Sequence, residues 1–266
     1  MESEYNKFKK IALRERDQIF SILLVDPISI NIAYLLKKTN SKILPNSITK
    51  LSLFFFYPLI ISLLFLAPIF QLKSAYLFCI FIFYLIFLAD NLDGQLARGL
   101  KRGSKEGEFL DIITDRVGTI VFITTLFSIG SFVQSNLLMY GSILLFIIKM
   151  FHLIFISKIY YWKEQENQKE SKSGVFSGNE GLNRMGVGKI LFIFNKIFKP
   201  IFPRRCVGLF GQFERYILSI IVPLLMVYFG LNGILIIYCS ILILFHLIFF
   251  CVRLKKLLKL DFIKEE

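Results

Sequence analysis

Six apolar runs, at about residues 50–70, 75–98, 107–132, 137–160, 209–230 and 232–252, dominate this 266-residue chain. At 1.5 Å per helical residue each is long enough to cross a hydrocarbon core of about 30 Å. Backbone amides in lipid must be satisfied within a helix or a closed barrel, so runs of this length dictate an all-α integral membrane protein with six transmembrane helices. Composition agrees: 55% of residues are hydrophobic and 30 are Phe, far beyond what a soluble core of this size holds.

Charge placement sets the orientation. Of 32 Lys and Arg, only Lys73 falls in a connection on one side and only Lys149 falls mid-span. The other 30 lie on or near the opposite side, which places both termini in the cytoplasm. The Phe, Ile and Lys bias points to an AT-rich genome and a bacterial plasma (inner) membrane. The net charge of +13 therefore belongs to a membrane surface, and nucleic acid is not an expected partner. Charged residues fill the first 50 positions, so no cleavable leader is expected. Cys79, Cys206, Cys239 and Cys251 are scattered without metal-ligand spacing and read as small apolar residues.

The polar connections divide the chain. Residues 1–49 form an N-terminal cytoplasmic or interfacial segment, and 50–266 form the membrane domain. Residues 1–12 are polar and expected to fray. Residues 13–38 carry Ile19, Phe20, Leu23, Leu24, Ile28, Ile32, Leu35 and Leu36 among charges, the pattern of an interfacial helix broken at Pro27. Leu44–Thr49 (LPNSIT) reads as a turn and helix start, with Asn46 or Ser47 as N-cap. The 161–208 stretch is a hydrophilic cytoplasmic loop followed by a second interfacial helix over 187–202, before the fifth span.

The chemistry concentrates in residues 90–115, DNLDGQLARGLKRGSKEGEFLDIITD. Asp90/Asp93 and Asp111/Asp115 are spaced i+3 and i+4, so each pair occupies one helix face. From Ser74 to Asp90 is 16 residues, about 24 Å of helix, which sets Asp90 just inside the cytoplasmic boundary. Asp111 and Asp115 fall in the matching turns of the next, antiparallel span. Four carboxylates at one level repel unless cations lie among them, and an all-oxygen donor set suits Mg²⁺ or Mn²⁺ rather than zinc. A salt-bridged interior is a poor alternative, because Arg98 and Arg116 cannot neutralise four buried acids. Gly94 and Gly107 beside the acids suit close approach of a ligand, though helix packing or a loop start explains either one singly. Arg98 suits a phosphate or a carboxylate equally well.

The pattern Asp90-x2-Asp93-Gly94-x2-Ala97-Arg98-x8-Gly107-x3-Asp111-x3-Asp115 resembles the complete signature of the CDP-alcohol phosphotransferase family. Pro45-Asn46-x2-Thr49 is similar to a stretch many members carry before their first span. The resemblance implies six spans, an N-terminal interfacial helix, a site facing the cytoplasm and a homodimer. It implies that Asp90, Asp93 and Asp111 ligate two divalent cations on the diphosphate of a CDP-linked donor. Asp115 would lie beside the metals as general base, and Gly94, Ala97, Arg98 and Gly107 with Asp93 would line the nucleotide and phosphate pocket. The expected reaction moves a phosphatidyl or phospho-alcohol group to an alcohol and releases CMP. CDP-diacylglycerol is the favoured donor, with a small polar alcohol as acceptor. One alternative is a soluble CDP-linked head group donated to diacylglycerol. Another, of a different class, is a six-span cation or solute transporter.

Secondary candidates lie elsewhere. Lys149, midway along the fourth span with His152 one turn on, reads as a ligand for an anionic acceptor, a counter-charge to the acids, or a snorkelling side chain. Arg204, Arg205 and Arg215 crowd the start of the fifth span, as anchors to anionic lipid or as an acceptor-phosphate pocket. His152 and His246 are isolated and read as packed histidines.

Overall fold

A computed structural model describes residues 3–14, 17, 19–39, 44–151 and 216–262, and every regular element among them is helical. In order these are α1 (Glu4–Ala12), α2 (Asp26–Lys38), α3 (Pro45–Ile69), α4 (Lys73–Gly99), α5 (Lys105–Phe132), α6 (Asn136–Phe151), α7 (Ile217–Tyr228) and α8 (Asn232–Phe262). Helices α3, α4 and α5 are long and apolar enough to cross a membrane; α6, α7 and the Asn232–Ile248 part of α8 are shorter apolar helices. The expected loop and interfacial helix of 161–208 lie outside the described residues, as do His152, Arg204, Arg205 and Arg215.

Helix α4 is the hub, with α1, α2, α3 and α7 all packed on it. The main core gathers Ile60 and Leu64 of α3, Tyr76, Ile82 and Phe83 of α4, Val121, Leu126 and Ile129 of α5, and Leu224 and Leu235 of α7 and α8. Outward faces carry large apolar side chains, Phe54, Ile69, Phe81, Ile112 and Phe245 among them, as a lipid-facing belt requires. Away from the acids, Ser128 ties three helices together. Its hydroxyl donates to Leu64 O and lies 3.1 Å from the Tyr76 hydroxyl.

Four helices end in the same way. Gln71, Lys101, Gln134 and Gly230 take the left-handed conformation, and the next amide bonds back to Ala67, Ala97, Gly130 and Met226 respectively. That motif satisfies orphan carbonyls and turns the chain sharply, which is why the connections between these helices can be so short.

Three helical stretches share a second device. A residue just before a proline bonds its amide five residues back: Asp26 to Ser21, Tyr57 to Ser52, and Val222 to Ile217. Pro27, Pro58 and Pro223 lack an amide and crowd the carbonyl four residues earlier, so the backbone widens by one residue. The expected break at Pro27 is therefore a widened turn, and the helix carries on to Lys38.

The sequence reading is corrected at three places. The helix start expected at Asn46 or Ser47 is Leu44 instead, with Pro45 in the first turn and no side-chain cap. The helix does not end with the sixth apolar run, and α8 continues through the basic residues after 252 to Phe262. The described part of the expected frayed segment, residues 3–12, is ordered: Ser3 caps α1 through the Asn6 amide, and Phe8 and Ala12 are buried against Ile30, Ala33, Leu92 and Leu96. The missed signal is small: Phe8 and Ala12, one turn apart, are an apolar face too short to stand out among lysines.

Gly99 explains why α1 docks where it does. A Cβ there would lie 2.1 Å from Phe8 Cε2, so the ring occupies the space a side chain would take. Gly99→Ala should undock α1, at a cost of about 1–3 kcal/mol from overpacking. The expected outcome is faster amide exchange over residues 4–12 with the spans unchanged; unchanged exchange at α1 would contradict this packing account.

Candidate active site

The C-terminal turns of α4 and the N-terminal turns of α5 face each other across a cavity of about 230 Å³. A single water needs only about 10–15 Å³, so this is ligand-sized space. Its polar wall holds Asp90 and Asn91 from α4 and Asp111, Thr114 and Asp115 from α5, with Thr49, Ser52 and Tyr57 from α3. Arg14, Asp17 and Ser21 close it from the N-terminal segment. Phe83, Ile86, Phe87 and Tyr216 make the apolar floor, where Tyr216 meets Phe83 and Phe87 edge-on or tilted at 5.7 and 5.8 Å between ring centroids.

The widened turns matter here. Ser21, Ser52 and Tyr57 all stand at such turns, and Tyr216 immediately precedes the third. An extra backbone residue rotates the side chains on either side of it relative to a regular helix, so the same stretch can aim Ser52 and Tyr57 at one space. Gly118 supplies the clearance for Tyr216. A Cβ at Gly118 would lie 2.5 Å from the Tyr216 hydroxyl, so α7 reaches over α5 only because that position is bare. Tyr57 closes the floor by donating its hydroxyl to Thr114 O at 3.4 Å.

Of the four acids, Asp90, Asp111 and Asp115 share the cavity wall. Asp93 lies behind it, buried, with the Thr49 hydroxyl donating to its Oδ2. Thr49 thus joins α3 to the acid face of α4. Gly94, Ala97, Arg98 and Gly107 are not part of the cavity lining. Arg98 folds back along its own helix: its Nε donates to Ala12 O at 2.7 Å, and a Cβ at Gly94 would lie 3.1 Å from its Nη1. The Arg98 guanidinium therefore lies over Gly94. Gly107 lies against Asn46 in a similar way, since a Cβ there would lie 3.2 Å from Asn46 Oδ1.

Asn46 belongs to a clasp between the starts of α3 and α5. Its Nδ2 donates to Ser104 Oγ at 3.1 Å and to Glu106 Oε2 at 2.9 Å, while Lys50 Nζ pairs with Glu106 Oε1 at 2.6 Å. The ion pair is about half exposed and contributes at most about 1 kcal/mol. Its effect is geometric: it holds the turn bearing Thr49 level with the turn bearing Asp111. Lys149 is half-buried in α6 and outside the cavity lining. His246 stacks on Phe122 at 4.9 Å and its Nδ1 lies 2.9 Å from Leu242 O, a packed histidine.

The donor chemistry of the lining, the four carboxylates of Asp17, Asp90, Asp111 and Asp115 with neighbouring hydroxyls, is that of a hard divalent cation site. Among the described residues, no three acidic, His or Cys side chains converge closely enough to form a ready-made metal cage. A cation here would have to be gripped from several walls and completed by water or ligand oxygens, as Mg²⁺ commonly is. The sequence reading had no signal for Arg14, Asp17, Ser21, Ser52, Tyr57, Thr114 or Tyr216, because they converge only through packing.

Against known proteins, the model of the CDP-alcohol phosphatidyltransferase family matches residues 42–252 of this chain. No curated protein and no solved structure gives a match. The matched region runs from just before α3 into α8 and contains all four acids, so the chain belongs to the CDP-alcohol phosphatidyltransferase family.

Proposed function

We propose that this protein uses a divalent metal to transfer a phosphatidyl or phospho-alcohol group from a CDP-linked donor to an alcohol, with release of CMP. The class of reaction follows from the family, whose members move a substituted phosphate group from a CDP-alcohol to an acceptor alcohol. The observation carrying the finer reading is the convergence of Asp90, Asp111 and Asp115 on one cavity between α4 and α5. The family match also leaves the transporter reading without support.

Asp90, Asp93 and Asp111, with Asp115 alongside, are the residues to hold Mg²⁺ or Mn²⁺, two ions by resemblance to the family. The metal supplies charge neutralisation for the donor diphosphate and for the leaving phosphate. Asp115 accepts the proton of the acceptor hydroxyl; the oxygen then bonds to the phosphorus bearing the lipid or alcohol group, and the bond from that phosphorus to CMP breaks. Gly94, Ala97, Arg98 and Gly107 lie along the same helix ends and are the residues to line the nucleotide and phosphate pocket, by resemblance of the motif. CDP-diacylglycerol is the donor best suited to a cavity with an apolar floor of Phe83, Ile86 and Phe87 beside a polar wall, and a small polar alcohol is then the acceptor. A CDP-linked soluble head group given to diacylglycerol is the alternative. Six spans, cytoplasmic termini, a plasma-membrane location and a homodimer complete the proposal, supported by the three long apolar helices and the apolar α6, α7 and α8.

The direct test is purified protein with CDP-diacylglycerol, Mn²⁺ and a panel of alcohols: CMP should appear, and EDTA should stop it. No CMP with any acceptor would sink the proposal. Asp115→Asn should lower kcat by roughly 10²–10⁴-fold, the usual worth of a general base, while donor affinity stays within a few-fold. Collapse of donor binding would instead make Asp115 chiefly a metal ligand. Lys149→Ala should raise the acceptor KM and leave the donor KM alone if the acceptor is anionic. An unchanged acceptor KM returns Lys149 to a packing or snorkelling role.

A further inference from the structure

The family match begins at residue 42, yet the cavity is closed by residues that precede it. The N-terminal segment is fastened to α4 along one polar stripe. Tyr84 donates its hydroxyl to Leu24 O at 2.9 Å, and Ser21 Oγ donates to Asn91 Oδ1 at 3.2 Å. Gln95 Nε2 donates to Asp26 Oδ1 at 2.9 Å, and Arg98 Nε to Ala12 O at 2.7 Å. Positions 84, 91, 95 and 98 repeat at helical spacing, so these four side chains form a single face of α4. At about 100° per residue, Asp90 stands roughly a third of a turn around the helix from it and Asp93 nearly opposite.

Between these anchors the chain leaves α1 at Leu13 in extended conformation and turns inward. Arg14 then stands in the cavity wall together with Asp90 and Asp111, close enough to act on both carboxylates. A guanidinium facing a site that must take in a diphosphate is placed to pair with phosphate oxygens once cations occupy the acids. Its planar fork suits two phosphate oxygens at once, which a lysine does not match.

We infer that Arg14, carried in by an N-terminal segment outside the family match, is a phosphate-binding residue of this site that grips the diphosphate of a nucleotide donor. The inference rests on the proposed CDP-dependent reading of the cavity. Arg98 also helps set Arg14 in place: its bond to Ala12 O fixes the chain two residues upstream.

The test uses the full chain in nanodiscs, titrated with Mn²⁺ alone and then with CDP at saturating Mn²⁺. Wild-type protein should bind both. Arg14→Gln should weaken CDP by about tenfold or more, the scale of one lost charge-assisted hydrogen bond, while Mn²⁺ alone binds as well or better because a competing cation has left the acids. Arg14→Lys should recover part of the CDP affinity. Equal CDP binding by wild type and Arg14→Gln would overturn the inference and leave the proposed function standing. Parallel loss of Mn²⁺ and CDP binding in both variants would also overturn it, as damage to the fold. Wild-type protein that takes Mn²⁺ but no CDP would defeat the proposed function and this inference together.

Discussion

Several carboxylates on one small cavity repel one another, and the surrounding helices are arranged to hold them there. Two like charges 4 Å apart cost about 4 kcal/mol at an effective dielectric of 20, a large fraction of a domain's net stability. Acids placed this way persist only where packing elsewhere fixes their backbones. Here α4 does most of that fixing, because α1, α2, α3 and α7 all lean on it. Thr49 holds the Asp93 carboxylate, the Asn46–Glu106 clasp sets α3 against α5, and Arg14 brings a positive charge to the same space.

The short connections and the widened turns serve this arrangement from opposite directions. Left-handed residues at Gln71, Lys101, Gln134 and Gly230 stop helices abruptly, so the chain leaves each helix within a few residues. Lys101 is the corner between α4 and α5, whose Asp90, Asp111 and Asp115 share one cavity. Pro27, Pro58 and Pro223 act within helices, where the backbone opens by one residue and nearby side chains change direction. Three elements distant in sequence thereby contribute Ser21, Ser52, Tyr57 and Tyr216 to a single cavity.

Much of this was legible in the residues. The apolar runs marked α3, α4 and α5, and helical spacing put Asp90 with Asp93 and Asp111 with Asp115. A strict motif carried the family. Other features lay beyond a reading of composition and period. The α1 docking depends on one ring, Phe8, filling the space over Gly99, a pairing 91 residues apart that no local pattern reports. Gly94 and Gly107 read as room for a ligand or as simple packing, and the sequence could not show that Arg98 and Asn46, side chains of the protein itself, lie against them. The polar stripe of Tyr84, Asn91, Gln95 and Arg98 was visible in principle as a 3.6-residue repeat. Its partners, Leu24, Ser21, Asp26 and Ala12, lie 60 to 86 residues away in sequence, beyond any local pattern.

The central claim is that the carboxylates of α4 and α5 share divalent metal that meets a nucleotide's diphosphate. Paramagnetic broadening of the ³¹P resonances of CDP by protein-bound Mn²⁺ reports that geometry directly. The account predicts strong broadening with wild-type protein, lost in Asp90→Asn and Asp111→Asn. Sharp phosphorus lines from CDP that is demonstrably bound beside Mn²⁺ would contradict it.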